Sequence, residues 1–330
     1  MKDLKIASSE KPDVLLLKAV PPDTIRSLGE HFTLHRLDLT EDRNASLEAV
    51  GPRIRAAVVA GQAPAGADLF VRLPRLEIVA NFGVGYDTID TADAARRGVM
   101  GTNTPNVLTD EVADLALGLL LAVVRQIPQA DRYLRDGRWP QGPFPLTPSL
   151  RGRAVGILGL GRIGQAIATR LEGFGVRIAY HGRRQRPEVA YAYHDSVVGL
   201  AQACDVLVVV APGNNETRHL IDATVLSALG RDGILVNVAR GTLIDEPALI
   251  ETLGNGTIRA AGLDVFANEP AVPAALAALE HSVLLPHIGS ASHHTRRLMG
   301  DLVVANLLDW FAGRGPVTPV TETPWPPRVE

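Results

Sequence analysis

Val155-Gly156-Ile157-Leu158-Gly159-Leu160-Gly161-Arg162-Ile163-Gly164 reads as a buried strand running into a Gly-x-Gly-x-x-Gly turn, with a helix beginning near Arg162. Each glycine has its own task in such a turn. Gly159 permits a tight bend, Gly161 lets the backbone approach a pyrophosphate, and Gly164 lets helix and strand pack closely. The helix N-terminus adds unpaired amide donors and the positive end of its dipole, which suits a phosphate. The spacing alone is a weak signal, and a structural glycine turn is the bland alternative. Its strand-turn-helix setting makes dinucleotide binding the stronger reading.

That setting extends in both directions. Downstream, Val176-Arg177-Ile178-Ala179-Tyr180, Val206 to Val210, Ile234 to Val238 and Val283-Leu284-Leu285 are short apolar runs separated by helical patterns. Upstream, Val14 to Leu17, Phe32-Thr33-Leu34, Ala56 to Val59 and Glu77 to Ala80 form a second such series. Near-continuous apolar strands alternating with helices imply parallel sheets covered on both faces. The fold class is therefore α/β, with two doubly wound parallel-sheet domains. Between the series lies a helical region from about Asn106 to Asp136, followed by a Pro- and Gly-rich loop from Gly137 to Pro148. A last helical run, His293 to Phe311, leads into a Pro-rich tail, Pro316 to Pro327, which should be extended.

About 20 residues beyond the glycine turn, a unit that binds NAD places Asp or Glu on the adenosine ribose. Here the chain reads Tyr180-His181-Gly182-Arg183-Arg184-Gln185-Arg186. No carboxylate is present and three arginines follow, the chemistry that holds a 2'-phosphate by charge-assisted bonds. The alternative is a solvated basic turn. NADP(H) is the favoured cofactor, with NAD(H) possible.

Bulk properties narrow the function classes. The chain has 330 residues, 46% hydrophobic and 21% charged, enough to bury a sizeable core in two domains. Its net charge of -3 does not suggest nucleic acid or an anionic membrane as a main partner. Met1-Lys2-Asp3-Leu4-Lys5-Ile6 has no apolar signal core, and the apolar stretch Leu115 to Val124 is shorter than the roughly 20 residues of a membrane span, so a cytoplasmic location is the default. Cys204 precedes an apolar run and reads as a core residue. The remaining histidines show no spacing with Cys, Asp or Glu that suggests a metal site.

Three titratable or charged residues each follow a predicted buried strand: Arg240 in Asn237-Val238-Ala239-Arg240-Gly241, Glu269 in Asp264-Val265-Phe266-Ala267-Asn268-Glu269-Pro270, and His287 in Leu284-Leu285-Pro286-His287-Ile288-Gly289. Ligands of open α/β sheets bind outside the carboxyl ends of strands, so all three can converge on the nicotinamide end of a cofactor. Each alone would be structural more often than not. Together they supply what 2-oxo acid reduction needs: a fixed two-pronged cation for substrate, an acid titrating near neutrality, and a carboxylate that keeps the acid charged.

With these residues in place, the chain resembles the D-isomer-specific 2-hydroxyacid dehydrogenases over nearly its whole length. The resemblance includes Asn81-Phe82-Gly83-Val84-Gly85-Tyr86-Asp87-Thr88-Ile89-Asp90, Asn103-Thr104-Pro105, Val107 to Asp114, the glycine turn, and the Arg, Glu and His segments in order. It implies a smaller flavodoxin-like substrate domain, 1–103 and 290–330, and a Rossmann-type coenzyme domain, 104–289, with the active site in the cleft. Arg240 would grip the substrate carboxylate and carbonyl oxygen, His287 would donate the proton, and Glu269 would hold His287 protonated. Gly83, Val84 and Gly85 would offer consecutive amides as a nest for the carboxylate, where the bland alternative is a mere turn. Cofactor contacts would fall on Thr109, Gly159, Gly161, Arg162, Ile163, Gly164, Arg183, Arg184, Ala239, Asp264 and Gly289, with Asp264 near the nicotinamide carboxamide. The segment near 106–148 resembles the family's dimerisation arm, so a homodimer is expected. Trp139, just after the long helical region, would either reach the partner's active site or simply pack.

Branches of the family separate mainly by exclusion. Ala60-Gly61-Gln62-Ala63-Pro64-Ala65-Gly66 carries no cation, which disfavours a phosphorylated substrate or a second acid. Glu269 is an acid where formate dehydrogenases of this fold have glutamine. Gly182-Arg183-Arg184-Gln185 is similar to the NADPH-dependent glyoxylate and hydroxypyruvate reductases. Reductases of 2-ketogluconate or phenylpyruvate-type acids stay open, as does a nucleotide-sensing corepressor-like protein on the same scaffold. Turnover of NADPH with any 2-oxo acid separates the last from the rest.

Overall fold

Among residues 11–325, which the computed structural model describes, twelve strands form two sheets whose strand pairings are all parallel. Met1–Ile6 and the end of the tail at Pro327 lie outside those residues. The described chain divides into two units, one made of residues up to 108 together with those from 292 onward, the other of 109–291. The boundaries lie a few residues beyond the 103 and 290 that the family resemblance implies.

The first unit contains β1 (Asp13–Leu16), β2 (Thr33–Arg36), β3 (Ala56–Ala60), β4 (Ile78–Phe82) and β5 (Met100–Thr102), in the order β2-β1-β3-β4-β5. This is the flavodoxin-like doubly wound order. Every residue of β3 and β4 is buried, as a sheet covered on both faces requires. The helix His293–Phe311, capped by Ser292 through the Thr295 amide at 3.1 Å, belongs to this unit although it comes from the end of the chain. Phe311 packs on Phe32 with ring centroids 5.9 Å apart, and Trp310 Nε1 donates to Glu77 Oε2 at 3.1 Å. The Pro-rich tail is not helical over its described part. It lies along β5, with the Val320 amide donating to Gly101 O at 2.9 Å.

The second unit contains β6 (Ala154–Leu158), β7 (Arg177–His181), β8 (Ala192–Tyr193), β9 (Val206–Val209), β10 (Ile234–Asn237), β11 (Ala260–Leu263) and β12 (Ser282–Leu284), in the order β12-β11-β10-β9-β6-β7-β8. Strand order reverses at β6, the Rossmann arrangement. All residues of β6, β9, β10 and β11 are buried. Each buried Val, Leu or Ile contributes roughly 1.5–3 kcal/mol by leaving water. Cys204, 7% exposed, packs so tightly on β6 that a Cβ at Gly156 would lie 2.8 Å from its Sγ, and burial pushes its thiol up to about 12.

The region expected to be helical from 106 to 136 is two helices, Thr109–Val124 and Ile127–Arg135. Gln126 between them is left-handed (φ 50°) and Pro128, early in the second helix, has no amide to continue the first helix's ladder. Among the described residues no helix is long and apolar enough to cross a membrane. The apolar run Leu115 to Val124 instead buries one face of its helix against β11.

Candidate active site

The strand β6 ends at Leu158, and the three glycines after it sit in three different surroundings. Gly159 has φ 100°, and a Cβ there would lie 2.8 Å from the Ala211 backbone beyond β9. A Cβ at Gly164, inside the helix Arg162–Glu172, would overlap the Gly159 carbonyl. A Cβ at Gly161 would meet nothing within 4 Å. The backbone at Gly161 is thus open at a helix N-terminus whose first residues are Arg162 and Ile163, the geometry that fits a pyrophosphate.

Beside this turn, β7 ends at His181, whose carbonyl accepts from the Gly159 amide at 2.9 Å. The three arginines that follow divide by role. Arg183 and Arg184 are exposed and make no hydrogen bond or ion pair among the described residues. Arg186 turns inward, donating to Leu160 O at 2.6 Å and to Glu188 at 2.7 Å, so it staples the basic turn to the glycine turn. Two exposed cations at the end of β7, with the nearby Glu188 carboxylate engaged by Arg186, fit a phosphate on the adenosine ribose.

On the other side of the reversal, β10, β11 and β12 carry the three functional segments at their carboxyl ends. After β10, the fully buried Asn237 clips the turn: its Nδ2 donates to Arg240 O at 2.9 Å and its Oδ1 accepts from the Ala239 amide at 3.0 Å. Arg240 Nη1 donates to Ala239 O at 2.8 Å, and Gly213 leaves room for the Arg240 stem, since a Cβ there would lie 2.8 Å from Arg240 Cγ. A Cβ at Gly241 would overlap the backbone of Phe266 and Ala267, so the Arg240 turn and the Glu269 loop are in direct backbone contact. Glu246 braces that loop by accepting from the Ala267 amide at 2.7 Å.

After β11, Asp264 is 1% exposed, and its two oxygens accept from the Ile288 and Gly289 amides at 2.7 and 2.8 Å. Burial raises its carboxyl above the ordinary carboxylate range, against the pull of those two amides. Between β12 and these amides stands His287 with φ 53°, a left-handed conformation that costs a non-glycine residue roughly 1–3 kcal/mol. The Asp264 grip on the next two residues holds that strain in place. His287 Nδ1 donates to Glu269 Oε2 at 2.7 Å, while Glu269 Oε1 accepts from the Phe266 amide at 3.1 Å. Burial opposes ionisation of Glu269, but the His287 hydrogen bond and charge, aided by Arg240, hold it below the ordinary carboxylate range. With Nδ1 committed to Glu269, Nε2 is the free nitrogen of a 40% exposed ring. Thr109 heads the helix whose Val112 and Leu115 line the space beside Gly289.

In the first unit, Gly83, Val84 and Gly85 follow β4. Asn81 Nδ2 donates to the carbonyls of Gly83 and Gly85 at 3.0 and 2.9 Å, Asn103 Nδ2 to that of Val84 at 2.8 Å, and the Thr104 amide to Gly83 O at 2.9 Å. All three carbonyls are therefore turned into the protein. The three amides have no acceptor among the described residues, which is what an anion nest needs.

Asn81, Asn103 and Asn237 were assigned no role from sequence. The signal available was an amide side chain ending an apolar strand, a costly placement unless it clips the turn beyond. Among the described residues no cluster of His, Cys, Asp or Glu could hold a metal ion.

Residues 117–289 match the family model described as D-isomer specific 2-hydroxyacid dehydrogenase, NAD binding domain. The chain is 47% identical over 313 residues to a glyoxylate/hydroxypyruvate reductase A of Arabidopsis thaliana, covering 94% of this chain and 99% of that protein. It is 47% identical over 295 residues to a hydroxyphenylpyruvate reductase of Plectranthus scutellarioides, covering 89% and 94%. A solved structure of an NADPH-dependent glyoxylate/hydroxypyruvate reductase from Sinorhizobium meliloti, in complex with NADP and malonate, superposes with a TM-score of 0.91 at 50% identity, over 97% of this chain and 100% of that one.

Proposed function

Because the chain belongs to the D-isomer-specific 2-hydroxyacid dehydrogenases, we propose that it reduces short 2-oxo acids, glyoxylate and hydroxypyruvate, to 2-hydroxy acids with NADPH. The observation that carries this reading is the hydrogen-bonded Glu269–His287 pair, within reach of the Arg240 charge at the carboxyl edge of the Rossmann sheet. Relatives named for the same activity support it, as does the NADP bound to the Sinorhizobium enzyme.

The bound nicotinamide cofactor supplies the hydride. The 109–291 unit is the coenzyme unit, with Gly159 to Gly164 for the pyrophosphate and Arg183 and Arg184 for the 2'-phosphate. The other unit is the substrate unit, where the Gly83–Gly85 amides receive the carboxylate. Arg240 presents two parallel donors to the carboxylate and carbonyl oxygen, polarising the carbonyl. His287 passes its Nε2 proton to the oxygen as that atom gains charge, and Glu269 stabilises the charged ring and fixes its orientation. One 2-oxo acid, one NADPH and one proton give one 2-hydroxy acid and NADP+. The exposed apolar side chains of the arm around 106–148 support a homodimer: Ile127, Leu134, Trp139 and Leu146 are 53, 55, 65 and 102% exposed. A cytoplasmic enzyme is consistent with the substrates.

The test is a substrate panel. Highest kcat/KM on glyoxylate or hydroxypyruvate with NADPH supports the assignment. Higher values on phenylpyruvate or 2-ketogluconate would move the chain to another branch of the family, and the Plectranthus relative makes the phenylpyruvate-type acids the sharper competitor.

Glu269→Gln tests the proton donor's support. The depressed Glu269 carboxyl is ionised throughout the neutral range, and its support is lost only as pH falls through its own low pKa. Gln keeps an acceptor but removes the charge that stabilises the protonated ring and fixes its orientation, so reductive kcat should fall by about tenfold or more while the KM for NADPH changes little. A near-native kcat in this variant would remove Glu269 from this role.

A further inference from the structure

The loop Ala60 to Gly66 has no cation in its own sequence, yet the fold brings two cations to it from elsewhere in the chain. The carboxyl ends of β1, β3 and β4 flank a pocket of about 290 Å3, lined among others by Lys18, Val20, Ala60, Gly61, Phe82 and Arg296. It sits where strand order reverses in the first unit, between β1 and β3, the place where open α/β sheets bind ligands. Its volume is close to the roughly 300 Å3 at which small-molecule pockets begin.

Lys18 follows β1, and its Nζ lies 3.3 Å from where a Cβ on Gly61 would be. Arg296 projects from the second turn of the helix His293–Phe311, half-buried, with its guanidinium 5.6 Å from the centre of the Phe82 ring. Neither side chain has a hydrogen-bond acceptor or a carboxylate partner among the described residues. Burial alone bears on the Arg296 guanidinium and pulls it down. A half-buried cation with no counter-charge is unfavourable, and a second cation on the same recess makes it more so, unless a ligand brings the missing negative charge. The wall residue Phe82 is followed directly by Gly83, the first residue of the nest.

We propose that Lys18 and Arg296 form a second anion subsite that receives the distal carboxylate of four- and five-carbon 2-oxo dicarboxylic acids, making these diacids a further substrate class. The inference rests on the reductase reading. Chemistry at the oxo carbon is the same as for the short acids: hydride adds at C2, the oxygen takes its proton from His287, and the distal carboxylate is unchanged. An apolar wall of Val20, Ala60 and Phe82 contacts the intervening methylenes, and the two cations read the far end.

The experiment compares kcat/KM for the four- and five-carbon 2-oxo diacids with their monoacid counterparts of equal length, in the native enzyme and in Lys18→Met and Arg296→Met. The diacid-to-monoacid ratio should exceed one in the native enzyme and fall about tenfold or more in each variant, chiefly through KM. Salt should lower the native ratio. Arg296 also packs on Phe82, so Lys18→Met, at an exposed position, decides the matter if the other variant does not fold. A native ratio at or below one, or equal losses on both acids, overturns the subsite. Faster turnover of a three-carbon phosphorylated 2-oxo acid than of either diacid overturns the carboxylate assignment. Absence of turnover on every 2-oxo acid would instead overturn the reductase reading itself.

Discussion

Replacing His287 with Ala is expected to lower reductive kcat/KM by at least about 10²-fold at every pH, because a positioned general acid contributes roughly 10²–10⁴-fold. The variant keeps Glu269 but gives it no ring to charge, and water must protonate the oxygen. Arg240→Ala is expected to lose a similar factor by another route. Two charge-assisted hydrogen bonds of roughly 1.5–3 kcal/mol each disappear, raising KM through the carboxylate and lowering kcat through the carbonyl. Arg240→Lys should not restore the rate, since an ammonium cannot present two parallel donors. Near-native turnover of the His287 variant across pH would remove it as the acid. Steady-state kinetics with NADPH and glyoxylate between pH 5 and 9, roughly the range over which a histidine changes charge, make the measurement.

The second large effect belongs to the cofactor. Arg183 and Arg184 are exposed and make no hydrogen bond or close ion pair among the described residues, so converting both to Ala should leave the fold intact. The loss should fall on NADPH. Two charge-assisted contacts to a phosphate predict a rise of about 10²-fold in the NADPH KM, with that for NADH changing little. Preference would shrink or invert. Arg186→Ala should behave differently, weakening both cofactors together, because Arg186 holds the glycine turn through Leu160. Equal losses for NADPH and NADH in the double variant would show that the pair does not read the 2'-phosphate.

What was legible in the sequence was what depends on local pattern. The strand β6, the glycine turn and the helix after it announce themselves through apolar continuity and spacing, and both doubly wound sheets follow from repetition of that pattern. The strands whose bounds the pattern leaves open, the one before Glu269 among them, are short or made of small residues. Ala260-Ala261-Gly262-Leu263 has little β-branched character because the helix Thr109–Val124 lies directly on it: a Cβ at Gly262 would come within 2.8 Å of both Leu119 and Val123. Tight packing removed the side chains that would have marked the strand. β5 and β8, of three and two residues, are too short to show a period.

The triad residues could be named because each follows its own strand, whereas their supports act across the chain. Asp264 reaches 24 positions to the Ile288 amide, and Glu246 reaches 21 to Ala267. Lys18 and Arg296 were invisible as a pair for the same reason. Reading the Gly61 loop by itself found no cation, and only the order β2-β1-β3-β4-β5 with the returning C-terminal helix puts two beside it.

That returning helix also bears on the order in which the protein can be made. The first unit needs Phe311 against Phe32, Trp310 on Glu77 and the Val320 segment alongside Gly101, so its earliest residues wait for nearly its last. The 109–291 unit is continuous and closes on itself with far shorter loops. During synthesis, the segment that emerges first therefore becomes complete last, and it carries its half-built apolar sheet past the ribosome while the middle of the chain folds.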